Sequence, residues 1–344
     1  MPDYRVIDAD GHVDPAPVCD WKKYVRSPFG AIADEMAKKG YDVNGDRTTT
    51  RRGGFDPAAR IADMDEEGID VTVLFGGSMG ISTGSGEPPG LGPAIAEGYN
   101  NWLHDFCSHN QDRLRGAALI APDNIERACK EARRAVTELG AVGIAMRPVF
   151  TDKVIDDPEF DPIYQVAEEL DVPILIHGPG DVRQWLSSRY HTHFRRHAVD
   201  FPISLMMASM DVVCGGVLER FKRLRVAFLE GGVGWVPWWL ERLDEHFEKL
   251  PHHVPHISEK PRDLVKRYIQ EGRLFWSCEP DEESIPSVAD AVGDDFIVYA
   301  SDYPHWDAIF PDSVRAISER AELSESTRRK ILSENAARMF GAHF

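Results

Sequence analysis

Cysteine is scarce, and what there is does not pair by spacing. Its five copies, at 19, 107, 129, 214 and 278, are scattered and odd in number, and no CxxC occurs. That excludes a disulfide framework and a cysteine-type zinc site, and it fits a reducing, cytoplasmic setting. Long apolar runs are missing as well; none approaches the roughly 20 residues that span a bilayer. The start, MPDYRVIDADGH, has no basic segment leading into an apolar one, so a secretory signal is not expected. Positive charge is in deficit: 39 Lys and Arg face 57 Asp and Glu, a net charge of −18. Such a chain lacks the footprint for a phosphate backbone, so no nucleic-acid partner is expected, and anionic membrane surfaces would repel it. No linker, repeat or low-complexity tail divides the 344 residues, so residues 1–344 read as one domain. A hydrophobic share of 42% is enough to fill its core and argues against disorder.

What is there is a recurring alternation. Eight strand-like runs, Tyr4–Asp10, Val71–Gly76, Leu114–Ala121, Val142–Arg147, Val172–His177, Arg225–Glu230, Leu274–Cys278 and Phe296–Ala300, are mostly separated by helical patterns. Several, such as VPILIH and LRVAFLE, are solidly apolar, as parallel strands covered on both faces should be. DPAARIADMDEEGI opens with Asp-Pro and ends at Gly68. DNIERACKEARRAVTELG starts at an Asp N-cap candidate and ends at Gly140. The pattern predicts an α/β fold, a single (β/α)₈ TIM-type barrel with long loops at its C-terminal face. An open doubly wound sheet is the rival, but it would usually carry a phosphate-binding glycine fingerprint where this chain has DADGH. The longer connections, read as loops, are Ser27–Gly54, Gly76–Gly92, Gly178–Pro202 and Pro251–Pro261.

In such barrels chemistry sits at the C-terminal strand ends. Here strand one ends Asp8-Ala9-Asp10-Gly11-His12, strand five at His177, strand six at Glu230, strand seven at Glu279 and strand eight Ser301-Asp302-Tyr303-Pro304-His305. Asp10 and His12 share a face because the side-chain period of a strand is two. One such residue would read as a capped turn. Five ends together call for a common partner, and a metal ion is the economical one for several buried carboxylates. The expected ligands are Asp10, His12, His177 and Asp302. A mixed His and carboxylate set without cysteine suits a divalent metal, Zn, Fe or Mn.

Further along, HTHFRRH places His191, His193 and His197 after strand five. On a helix His193 and His197 stand at i and i+4. They read either as a solvated basic helix or, with Glu230, as a second metal position, giving one or two ions per chain. Arg147 could grip a substrate carboxylate through its planar fork or pair with a nearby acid. Glu279 and His305 are candidates to orient ligands or touch substrate. Trp235, Trp238, Trp239, Arg242 and His246 follow helical spacing and read as packing in the core or between subunits of a homodimer. PHHVPHIS reads as a surface loop. GGSMGISTGSG lacks the GK[ST] ending of a phosphate loop and reads as a flexible lid.

DADGHVDP, ILIHG, GGVLERFKRLRVAFLEGGVGW and YASDYPHWD, in that order, resemble the amidohydrolase superfamily, in the branch of aminocarboxymuconate-semialdehyde decarboxylase and related hydrolases. The resemblance implies a metal-dependent barrel with ligands on strands one, five and eight, which fall on Asp10, His12, His177 and Asp302. Two departures stand out. Many members have His-x-His where this chain has Asp10-Gly11-His12. The decarboxylases have a catalytic histidine before Gly-Gly where this chain has Glu230. Three functions stay open on these grounds. One is metal-dependent hydrolysis or decarboxylation of a small organic molecule, with Asp302 and Glu230 as bases. The second is a carboxylate-bridged non-haem di-iron oxygenase. The third is a non-catalytic binding barrel.

Overall fold

Eight short apolar segments, each followed by chain that folds back as helix, leave few ways to bury both faces of a parallel sheet. The structure, a computed structural model, describes residues 2–14, 19–43, 51–76 and 88–344. Its strands are β1 (Ile7–Val13), β2 (Val71–Gly76), β3 (Leu114–Leu119), β4 (Gly143–Met146), β5 (Ile174–Ile176), β6 (Val226–Phe228), β7 (Leu274–Cys278) and β8 (Ile297–Tyr299). They pair in parallel in the order β1 to β8, and helices between them complete the expected (β/α)₈ barrel. β3, β4, β5, β6 and β8 stop short of their expected ends, and β1 runs on past Asp10 to Val13. After β6 and β8 the backbone turns sharply: Glu230 and Asp302 take φ of 65° and 51°.

Both helix signals correspond to helices. Asp56 caps Pro57–Glu67 by accepting from the Ala58 and Ala59 amides, and Gly68 ends it in the left-handed region. The cap of Ile125–Leu139 is Asn124, one residue beyond the expected Asp. Two expected loops contain helix. Ser27–Gly54 holds Gly30–Val43, whose Ala33 joins the core, and Gly178–Pro202 holds Val182–Arg189 and the start of His193–Cys214. The stretch His193–Arg220 is long and apolar enough to cross a membrane by length and composition alone, but 67% of its 18-residue apolar window is buried, as in the core helix of a folded barrel. The PHHVPHIS histidines 252, 253 and 256 are exposed as expected. The glycine-rich lid candidate lies almost wholly outside the described residues.

The barrel interior is one buried cluster of Ile7, Ala9, Val73, Ala117, Leu175, Ala227, Phe275 and Val298. Met339 and Phe340 of the helix Asn335–Phe340 belong to it and stop the N-terminal end of the barrel. That helix is fastened there by Asn335, whose side-chain amide donates to the Asp294 and Ile297 carbonyls at 2.7 Å each. The seam between β8 and β1 is closed by two backbone bonds, His12 N–H to the Tyr303 carbonyl at 2.7 Å and Asp302 N–H to the Asp10 carbonyl at 3.0 Å. That seam positions the site.

Candidate metal centre

β1 carries a register shift against β2 between Asp8 and Gly11, and a buried polar clamp surrounds it. The Asp8 carboxylate accepts from the Thr72 hydroxyl at 2.7 Å and from the Ser301 amide and hydroxyl at 2.8 Å each, tying β1 to β2 and to the chain after β8. Behind it lies the buried guanidinium of Arg60. It donates to the His12 carbonyl at 2.9 Å, the Tyr303 carbonyl at 3.3 Å and Thr72 Oγ1 at 3.1 Å. Residue 11 must be glycine here: a Cβ would lie 2.3 Å from an Arg60 nitrogen and 2.5 Å from Thr72 Oγ1. The clamp fixes the backbone on both sides of the seam, and the side chains it aims are Asp10, His12 and Asp302.

These meet His177, Glu230 and His305. Asp10 Oδ1 lies 3.2 Å from His177 Nε2 and 3.4 Å from His12 Nε2. His12 Nε2 is 3.1 Å from Asp302 Oδ1. His177 Nε2 is 3.1 Å from Glu230 Oε2, and His305 Nδ1 is 2.7 Å from Asp302 Oδ1 and 3.8 Å from Glu230 Oε1. The rings are braced by stacking, His12 on His305 at 3.9 Å and His177 on Phe75 at 4.5 Å. Glu230, at the turn after β6, is held by its own N–H donating to Ser277 Oγ at 2.9 Å.

The charges perturb one another strongly. Burial pushes the Glu230 carboxyl up to about 7, against the pull of His177. Burial, followed by the charges of Asp302, Glu230 and Asp10, drives Glu279 well above the usual carboxylate range. For Asp302 burial acts upward but is outweighed by His305 and His12, which hold it below that range. Burial and His305 lower His12 to about 4, against the pull of Asp302 and Asp10. Burial is overridden at His177 by Asp10 and Glu230, which raise it. At His305, Asp302 and Glu230 likewise override burial, raising it to about 9.

Both Asp10 oxygens, both His12 ring nitrogens, His177 Nε2 and Glu230 Oε2 are buried and make no hydrogen bond. Buried polar atoms are almost always bonded. Lone pairs crowded together without bonding geometry fit a cation-binding set, and the donors fit a divalent ion that accepts imidazole and carboxylate. Among the described residues two such groups form: Asp10, His12 and His177; and His12, Glu230, Asp302 and His305.

The remaining candidates separate. Neither group contains His193 or His197. Their rings meet edge-on 4.9 Å apart, as i, i+4 spacing allows, and both pack edgewise on Trp306 at 5.9 and 5.8 Å. Among the described residues the ligand group at Glu230 takes His305 rather than His193 or His197. Arg147 donates to Asp181 Oδ1 at 2.7 Å and lies over the Phe150 ring. It still lines the pocket beside His177, with Phe75, Tyr99, Leu119 and Met146. Trp235 packs on the core, whereas Trp238, Arg242 and His246 are exposed. The clamp of Asp8, Thr72, Arg60 and Ser301, and the brace Ser277, were not anticipated. A signal existed: Arg60, Met64 and Glu67 fall at i, i+4 and i+7, so an arginine shares the buried face of its helix.

A family model described as Amidohydrolase matches residues 7–342. A 2-amino-3-carboxymuconate-6-semialdehyde decarboxylase of Dictyostelium discoideum is 26% identical, over 83% of this chain and 77% of its own length. A gamma-resorcylate decarboxylase of Rhodococcus jostii is 23% identical, over 82% and 86%. Among solved structures, the 5-carboxyvanillate decarboxylase of Novosphingobium aromaticivorans, in complex with manganese and 4-hydroxy-3-methoxy-5-nitrobenzoic acid, superimposes with a TM-score of 0.76. It is 22% identical, with 98% of this chain and 96% of that one covered.

Proposed function

The chain belongs to the amidohydrolase family, and from that premise we propose that it is a metal-dependent lyase or hydrolase that cleaves a small, unsaturated or aromatic carboxylate. The observation that carries this reading is the set of buried, unbonded donor atoms of Asp10, His12 and His177, with Asp302 3.1 Å from His12. Manganese is the first choice of ion, because it occupies a relative of the same fold; zinc and iron accept the same donors. When bound, the ion supplies Lewis acidity, polarising a substrate oxygen or lowering the pKa of a water toward about 7.

The protein's own groups do the rest. Phe75, Tyr99, Leu119 and Met146 offer apolar wall beside His177 to the unsaturated part of the substrate, and Arg147, held by Asp181, lines the same wall as the cation for its carboxylate. Glu230, with its carboxyl near 7, exchanges a proton near neutral pH and takes the place of the imidazole that the resemblance implies after strand six. Asp302 stays ionised and holds His305 by its 2.7 Å contact. Glu279 completes the acidic wall. The exposed apolar side chains Ile203, Met207, Met210 and Trp238 make a homodimer part of the same proposal.

A non-catalytic barrel would lock Asp10, His12 and His177 into protein-only hydrogen bonds, and their atoms are unbonded instead. An oxidative reading is favoured by the carboxylates Asp10 and Glu230 that stand where the resemblance implies histidines. The test is turnover by manganese-, zinc- and iron-loaded protein on hydroxybenzoates and unsaturated dicarboxylates, following carbon dioxide release and oxygen uptake. Carbon dioxide or hydrolysis product without oxygen uptake supports the proposal. Turnover confined to iron-loaded protein and consuming oxygen replaces it with the oxidative reading.

A further inference from the structure

We infer that Glu282 is a positioning residue for the reaction: its carboxylate keeps the turn after β6 wound so that Glu230 points at His177 and His305. This rests on the role proposed above for Glu230 and deepens it. Glu230 is not placed by its strand. β6 ends at Phe228, and Glu230 takes a φ of 65°, which a residue with a Cβ keeps only when its surroundings impose it. The chain continues Gly231-Gly232-Val233-Gly234. Gly232 also has a φ of 65°, and a Cβ on Gly231 would lie 2.4 Å from Leu205 Cδ1. A turn of this kind aims successive amides at one point, where an anion fits. Here the anion is Glu282. It accepts from the Val233 amide at 3.0 Å on Oε2 and from the Gly234 amide at 2.6 Å on Oε1. The Ser284 hydroxyl donates to Oε1 at 2.6 Å.

Glu282 is itself anchored. Its N–H donates to the Glu279 carbonyl at 3.1 Å, and Arg320 donates to the Glu282 and Asp281 carbonyls at 2.7 and 3.3 Å. The clasp therefore joins the loop after β6 to the loop after β7 and to the chain beyond β8. Two further bonds grip the start of the turn. Trp235 Nε1–H donates to the Gly231 carbonyl at 3.0 Å, and the Glu230 N–H donates to Ser277 Oγ at 2.9 Å. Both can persist while the far end of the turn opens; only Glu282 holds the amides of 233 and 234. Without it Glu230 relaxes toward negative φ, and its carboxylate leaves the place where Oε2 lies 3.1 Å from His177 Nε2. A displacement of about 1 Å in a reacting group costs on the order of 100-fold in rate. The wall around Arg147 is untouched, so the loss falls on kcat rather than KM.

The test is a crystal structure of Glu282→Ala, with kcat, KM and metal content measured beside wild type and Glu230→Gln on whichever hydroxybenzoate or dicarboxylate the manganese-loaded protein turns over. In Glu282→Ala the turn should open, Glu230 should leave the left-handed region, and metal content should match wild type. Its kcat should fall about 30-fold with KM within about twofold. Glu282→Gln keeps the Oε1 acceptor without the charge, and its kcat should lie between the two. Should Glu282→Ala fail to fold, Glu282→Asp, which withdraws the carboxylate by one methylene, carries the same readouts. Glu230 unmoved in the crystal overturns the inference, whatever the turnover. Glu230 displaced with full turnover, while Glu230→Gln is impaired, overturns it too, because its position would not matter. Full turnover in Glu230→Gln overturns instead the role of Glu230 on which the inference rests.

Discussion

At its N-terminal end the barrel is stopped by Met339 and Phe340, apolar groups that need nothing but close packing. At its C-terminal end the same cylinder is filled by Asp10, His12, His177, Glu230, Asp302 and His305, several with buried atoms that no hydrogen bond satisfies. One end removes hydrocarbon from water at about 25 cal/mol per Å² and stabilises the fold. The other keeps charges in a dry place, which costs stability and makes sense only if a ligand enters. The seam clamp connects the two kinds of design. Arg60 and Asp8 are buried like core residues, yet what they hold is the backbone on either side of Asp10, His12 and Asp302.

That division of labour can be broken from the seam. Arg60→Met removes one partner of a buried charged network and leaves Asp8 uncompensated. It should cost about 3–5 kcal/mol of stability, and it should weaken Mn²⁺ binding about 10-fold, because His12 and Tyr303 lose the donor on their carbonyls. Chemical denaturation and metal titration read the two effects. A loss of stability with unchanged metal affinity would reduce Arg60 to packing.

Phe340→Ala tests the other end. It should cost about 3–5 kcal/mol through the cavity it leaves, with metal content and affinity unchanged. A drop in metal affinity would show that the two ends are not independent.

The smallest effect lies away from both. The Asp211 carboxyl is pushed up to about 7, first by burial and then by Asp156. Between about pH 4 and pH 7 the folded chain therefore holds a proton that the unfolded chain has lost, so stability falls as pH rises through that window. Asp211→Asn abolishes the penalty. Its melting temperature should exceed that of wild type by on the order of 2 °C at pH 8 and match it at pH 4. An equal shift at both pH values would contradict the assignment.

The two ends also differ in how far the sequence discloses them. Strand runs such as VPILIH were legible because burial on both faces demands unbroken apolar residues. Asp10, His12, His177, Glu230 and Asp302 were legible because ligand-type residues at successive strand ends have few other uses. His193 and His197 stayed open between two readings for a physical reason: i, i+4 spacing fixes which face two rings share, but not what that face meets, and here it meets Trp306. Arg60 was missed because a lone arginine in an amphipathic helix looks solvated until its partners, 48 and 243 residues away, are brought to it. The helix Gly30–Val43 was hidden by the polar composition of its surroundings.

The central claim is that unbonded donors at the C-terminal mouth exist to hold a divalent metal. The most direct measurement is metal content by mass spectrometry on protein purified without added metal, wild type beside His177→Ala. At least one divalent ion per chain in wild type, with loss of the ion bound at Asp10, His12 and His177 in the variant, is the predicted result. Wild-type protein that turns over substrate without metal, or a variant that keeps its full complement, would contradict it.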